Sequence, residues 1–122
     1  MDKVNLKQKF GLILQPWSPA IVGELNGQYV KLAKFEGEYV WHAHEHEDEL
    51  FYVVSGKLNI ELRDRTIELA PGEFFVVRRG VEHKPVALPN ADVLLFEPAG
   101  TINTGNAAPN QYTRKPQDLD RL

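Results

Sequence analysis

Only four histidines occur in the 122 residues, and three of them, His42, His44 and His46, alternate along one short stretch while the fourth, His83, lies far downstream. Neutral imidazole nitrogens together with a carboxylate form a donor set suited to iron(II), manganese, nickel, zinc or copper, whereas calcium and magnesium prefer all-oxygen cages. Residues two apart on an extended segment point to one face, so His42 and His44 can lean toward the same point. If Glu45-His46-Glu47-Asp48 is a hairpin loop, His44 stands opposite Glu49 on the next strand, near enough for both to grip one ion. Pro71-Gly72-Glu73 and Arg79-Gly80-Val81-Glu82 read as turns around a buried strand Phe74 to Val77, and His83 then opens a strand that brings in a third imidazole. The plain alternative is a solvated hairpin tip rich in Glu and Asp. Against it, His42 follows Val40-Trp41, Glu49 leads into Leu50-Phe51-Tyr52, and ionisable groups at such apolar junctions need a partner or a metal.

Short segments rich in Val, Ile, Leu, Phe and Tyr must position these side chains. Turn signals separate them at Asn26-Gly27, Gly37, Ser55-Gly56, Asp64-Arg65, Pro71-Gly72, Gly80 and Pro89-Asn90. That rhythm, with no long amphipathic helical period, predicts an all-β barrel or sandwich. Strands are expected near 20–25, 28–35, 38–44, 49–54, 57–63, 65–69, 73–78, 83–87 and 92–97. Leu58, Ile60 and Leu62 alternate with Asn59, Glu61 and Arg63, the mark of a half-buried strand. Leu50 to Val54 is apolar on both faces, so its outer face must be covered, either by the N-terminal segment carrying Leu12, Ile13, Leu14 and Trp17 or by a second subunit.

The motif Gly37-x4-His42-x-His44-x4-Glu49-x6-Gly56 resembles the first motif of the cupin superfamily, and Gly72-x5-Arg78-x-Gly80-x2-His83 resembles the second. The resemblance is to a small single-domain metal-binding cupin, and with the strand pattern it extends over roughly 25–97. It implies a cupin double-stranded β-helix, the jelly-roll barrel, with one divalent transition metal (Fe, Mn, Ni, Zn or Cu) held by His42, His44, Glu49 and His83. In an octahedral ion such a set leaves two positions open. The interval from Gly37 to His42 is one residue shorter than the usual pattern, Arg78 stands where proline is common, and Ala87 replaces a frequent asparagine. A register using His44 and His46 leaves too few residues before Glu49, so His46 is read as an exposed loop residue. The expected organisation is an N-terminal arm over 1–24, the barrel over 25–98 and a C-terminal tail over 99–122, the tail extended or docked, with a last short helix within 115–122.

Strand parity places Val40, Phe51, Val53, Pro85 and Ala87 beside the histidines, which predicts an apolar pocket with the metal as its main polar anchor. Arg78, Arg79 and Lys84 are candidates for binding a carboxylate or phosphate. Glu47, Asp48 and Glu82 are candidate bases, although loop carboxylates are most simply surface charge. The formal net charge of −3 supplies no field for nucleic acid or an anionic membrane. The absence of cysteine excludes disulfides, zinc ribbons, iron–sulfur clusters and thiol nucleophiles. The charged start MDKVNLKQKF lacks the apolar run of a secretory signal, so the expectation is a cytoplasmic protein that binds neither nucleic acid nor membrane, and the doubly apolar strand 50–54 together with the resemblance implies a homodimer that takes a small-molecule ligand. Its function is read either as a metal-dependent enzyme on a small carbonyl- or hydroxyl-bearing metabolite or as a non-catalytic ligand-binding or sensor module with a structural metal.

Overall fold

Period-two burial dominates the chain, as the alternation of Leu58 and Ile60 with Asn59 and Glu61 predicts. The computed structural model describes residues 2–122. It contains one short helix, α1 (Leu6–Phe10), and the strands β1 (Ala20–Leu25), β2 (Gln28–Glu38), β3 (Glu49–Leu62), β4 (Thr66–Leu69), β5 (Phe74–Val77), β6 (His83–Pro98) and β7 (Asp120–Arg121). They form one seven-stranded sheet in the order β4-β3-β6-β2-β1-β7, with β5 added alongside β3. Among the described residues no helix is long and apolar enough to cross a membrane.

Two long strands carry the architecture. The expected breaks at Ser55-Gly56 and Pro89-Asn90 are not turns, because β3 and β6 run through them as single strands of 14 and 16 residues. Around Ser55-Gly56 the pairing of β3 with β6 slips register twice, between Val53 and Ser55 and between Gly56 and Leu58. Gly56 has φ +81°, and a Cβ there would collide with the Asn90 carbonyl oxygen, so this pair of residues is a bulge that bends β3. The first part of β3 lies between β5 and β6, and the second between β4 and β6.

The inner faces of these strands enclose Phe35, Phe51, Val53, Leu58, Ile60 and Val93. A second apolar cluster lies outside, where Phe10 and Ile13 pack with Ala20 and Leu32 against Val54 and Leu94. The N-terminal segment thus covers part of the outer face of β3, although Leu12 and Leu14 remain exposed and Trp17 turns inward to the barrel core instead. β5 is less buried than its composition suggests: Phe74 is exposed, and Val77 is its buried residue.

Two further expectations are corrected. The strand predicted over 38–44 ends at Glu38, after a register shift and Gly37 at φ +65°, and beyond it only His42 makes a bridge. The C-terminal segment forms a 3-10 turn at Pro116–Asp118 and then β7, which pairs in parallel with β1. The tail docks through polar and apolar contacts: Thr101 and Thr104 are buried, Tyr112 packs on the barrel core and Leu122 on the outer cluster, and the Leu122 N–H donates to the Ile21 carbonyl at 2.9 Å.

Candidate metal centre

His42, His44, Glu49 and His83 meet inside the barrel, each offering a ligand atom within 4.8 Å of the others. All four are buried, His83 completely. Glu49 begins β3 and pairs with Val77, not with His44 as a hairpin at 45–48 would require. The side chains nevertheless meet: Glu49 Oε1 lies 3.3 Å from His44 Nε2 and 3.5 Å from His83 Nε2. The side chains come together without the expected hairpin, from a segment 39–48 that is irregular apart from the bridge of His42 to His83.

Backbone carbonyls set the tautomers of two imidazoles. His42 Nδ1 lies 2.9 Å from the Val40 carbonyl, and His83 Nδ1 lies 2.9 Å from the Val81 carbonyl. A carbonyl only accepts, so each Nδ1 carries the proton and each Nε2 keeps its lone pair. His44 is positioned from the other side, by the tail. The Ala43 N–H donates to Asn106 Oδ1 at 2.8 Å, the Asn106 N–H donates to the Ala43 carbonyl at 3.0 Å, and the Gly80 N–H donates to the His44 carbonyl at 2.8 Å. Gly105 must lack a side chain, because a Cβ there would strike the Ala43 carbonyl oxygen and press on His44 Nδ1.

These residues fit a cation. His44 Nδ1 and Nε2, His83 Nε2 and Glu49 Oε1 are buried without a hydrogen-bond partner. The lone pair of His83 Nε2 faces a carboxylate oxygen that is also electron-rich, an arrangement that burial makes costly and a shared positive ion relieves. Burial, reinforced by the neighbouring His83, pushes the His42 imidazole down to about 4, so the ring is neutral and ready to ligate at neutral pH. Burial acts to raise the Glu49 carboxyl, but contact with the His44 ring and with Glu97 outweighs it and holds the group well below the carboxylate range.

Glu97 and Lys31 lie directly behind this cluster and were not anticipated from the sequence. Lys31 Nζ and Glu97 Oε1 form an ion pair at 2.8 Å with both side chains 1% exposed. Burial and then the Glu49 charge push the Glu97 carboxyl well above its usual range, while Lys31 opposes the shift. The signal was present in the parity, since Glu97 follows Val93 and Leu95 on one face of β6 and Lys31 precedes Ala33 and Phe35 on β2.

Beside His42 and Glu49 lies a cavity of about 20 Å³, walled by Trp17, Phe35, Tyr39, Phe51, Pro85 and Leu95. Of the residues expected to line it, Phe51 and Pro85 do, Val53 and Ala87 belong to the surrounding core, and Val40 contributes its carbonyl to His42. Trp17 is the unforeseen wall. It stacks between Phe35 and Tyr39 at centroid distances of 4.4 Å, and its indole N–H donates to the Glu36 carbonyl at 3.1 Å. Its φ of +59° is a strained conformation for a bulky residue, held by this packing.

The remaining candidates lie outside the cluster. Arg78 and Arg79 pair with Asp48, Lys84 with Glu38 and Glu61, and Glu82 with Arg63. His46 is 83% exposed beside Glu45, as expected of a loop residue.

Comparison with known proteins adds to this geometry. The cupin domain family matches residues 28–97. A crystal structure of a cupin-2 domain containing protein from Shewanella frigidimarina is 45% identical, with 78% of this chain and 93% of that chain covered and a TM-score of 0.76. A protein from Neisseria meningitidis is 30% identical over 80% of this chain and 99% of its own, with a TM-score of 0.73. KdgF from Halomonas is 33% identical over 66% of this chain and 76% of its own, with a TM-score of 0.59. The uncharacterized protein YdbB of Bacillus subtilis is 39% identical over 64 residues, and this chain spans only 57% of its length.

Proposed function

Because this chain belongs to the cupin family, matched over residues 28–97, we propose that His42, His44, Glu49 and His83 hold one divalent transition metal and that the protein is a metal-dependent enzyme acting on a small carbonyl- or hydroxyl-bearing metabolite. The observation that carries the reading is the group of four buried side chains whose donor atoms converge within 4.8 Å, several of them without any partner in the protein. Three neutral nitrogens and one carboxylate suit iron(II), manganese, nickel, copper or zinc. When bound, such an ion supplies Lewis-acid polarisation of a carbonyl or stabilisation of an enolate, the chemistry of isomerases and lyases, or with iron the chemistry of dioxygenases.

The chain's own residues supply the rest. Val40 and Val81 orient His42 and His83 through their carbonyls, and the apolar walls from Trp17, Phe35, Phe51 and Leu95 keep bulk water from the cluster. Exclusion of water strengthens every electrostatic interaction inside. A second reading, a ligand-binding or sensor module with a structural metal, draws support from the size of the cavity: about 20 Å³ is room for roughly one water.

Elemental analysis of protein purified without added metal, followed by exchange of the metal's water ligands, separates the two readings. Iron or manganese at one ion per chain with exchangeable water supports the enzyme; closed four-coordinate zinc supports the structural role. Metal content unchanged in both His42→Ala and His83→Ala would overturn the site assignment altogether. The homodimer reading draws on exposed Leu12 and Leu14 beside the outer cluster, and sedimentation of the protein as a stable monomer would refute it.

A further inference from the structure

Tyr39 is the only residue with a buried hydroxyl that lacks a hydrogen-bond partner among the described residues. A phenol is a good donor, and a donor buried without an acceptor is a cost that folded proteins rarely leave uncompensated. The ring cannot swing readily to water. It stacks on Trp17 at 4.4 Å, meets the edge of His42 at 5.5 Å and packs beside Tyr112 at 5.3 Å. Its backbone is tied as well, through the Tyr39 N–H to the Pro85 carbonyl at 2.9 Å.

Tyr39 lines the same cavity as His42 and Glu49. Asn103, another polar side chain on that wall, is already used at both ends: its Nδ2 donates to the Tyr112 carbonyl at 2.7 Å and its Oδ1 accepts from the Arg114 N–H at 2.8 Å. The Tyr39 hydroxyl is thus the uncommitted donor in an otherwise mostly apolar chamber. Charge points the same way. Three neutral imidazoles and the single Glu49 carboxylate leave a divalent ion with one positive charge uncompensated, while Lys31 and Glu97 compensate each other at 2.8 Å. Among groups buried this deeply that excess favours an anion.

We propose that Tyr39 is a ligand-binding residue whose hydroxyl donates a hydrogen bond to a small monoanion, a carboxylate or enolate oxygen, seated in the cavity beside His42 and Glu49. The proposal rests on the reading of His42, His44, Glu49 and His83 as metal ligands. The cavity has room for about one water, so a carboxylate or enolate head group must widen it, displacing Trp17 from its place between Phe35 and Tyr39.

The test uses the cobalt(II)-loaded protein, with azide and acetate as probe anions and the visible absorption of the ion as the readout. The Tyr39→Phe variant keeps the ring and its stacking, and a thermal melt checks that it folds. The expected result is that Tyr39→Phe retains one cobalt per chain and an unaltered starting spectrum but binds azide and acetate about 10- to 100-fold more weakly, while Tyr112→Phe binds them as the unsubstituted protein does. Equal affinity in Tyr39→Phe, or no spectral response to either anion in cobalt-loaded unsubstituted protein, overturns the proposal while leaving the metal site standing. Failure of the unsubstituted protein to take up cobalt is seen before any anion is added, and it overturns the metal reading together with the proposal built on it.

Discussion

His42 and His83 are bonded to each other through the backbone in both directions: the His42 N–H donates to the His83 carbonyl at 3.0 Å and the His83 N–H to the His42 carbonyl at 2.9 Å. Their rings stand 4.2 Å apart. A bridge between two residues, outside any longer ladder, thereby brings together imidazoles 41 positions apart in the chain.

That bridge uses main-chain groups only, so it survives loss of a ring. His83→Ala and His42→Ala are expected to retain the native far-ultraviolet circular dichroism while bound metal falls to less than about a tenth of the normal content, because each removes one of the donor nitrogens. His46→Ala, altering a ring that is 83% exposed, is expected to keep full metal content. Elemental analysis of the three purified variants checks both halves.

Acid should weaken the metal-free protein before it protonates the site. Burial lowers the His42 imidazole from 6.5 to about 4, so between those values the unfolded chain binds the proton and the folded chain does not. Stability from this residue is fully present above about pH 6.5 and is lost as the pH falls toward 4, amounting to about 2 kcal/mol between pH 7.5 and 5. Urea unfolding of the metal-free protein across that range should show the decline, and the same titration of His42→Gln should be flatter.

Removing one member of the buried pair should be worse than removing both. Lys31→Met leaves Glu97 without its cation at a position 1% exposed and is expected to cost about 3–5 kcal/mol. The double variant Lys31→Met with Glu97→Met should recover much of that loss, since no lone charge then stays buried. Denaturant midpoints of the single and double variants give the coupling directly.

The tail should be felt at His44. Asn106→Ala removes the acceptor of the Ala43 N–H and leaves that buried donor unsatisfied, at about 1–3 kcal/mol. Metal affinity, read by competition with a chromophoric chelator, is expected to fall about tenfold or more, as it does when groups that orient a ligand are lost. An unchanged affinity would mean that the tail holds the fold but not the ligand.

The parts legible in the sequence were those that obey a period or a motif. Leu58 and Ile60 announced their strand by alternation, and His42, His44, Glu49 and His83 were recognisable from spacing and resemblance. Gly56 misled because glycine signals a turn and a bulge alike, and only the clash with Asn90 distinguishes them. Lys31 and Glu97 had the correct parity, but charged residues are expected in water until a partner of opposite sign appears at the same depth. Trp17 sits in a connection with no period at all, so nothing local marks it as a wall of the cavity. The tail folds on itself through Asn103 and Thr104 and docks through Asn106 on Ala43, Tyr112 against Trp17 and Tyr39, and Leu122, and such isolated contacts leave no hydrophobic period to read.

The carbonyls of Val40 and Val81 bear on how this centre can change over time. Every amino acid has a carbonyl, so the groups that fix the protons of His42 and His83 are indifferent to which side chains occupy positions 40 and 81. Those sites are free to drift as long as the backbone path is kept, and the orientation of the ligands is inherited with the fold instead of with a motif.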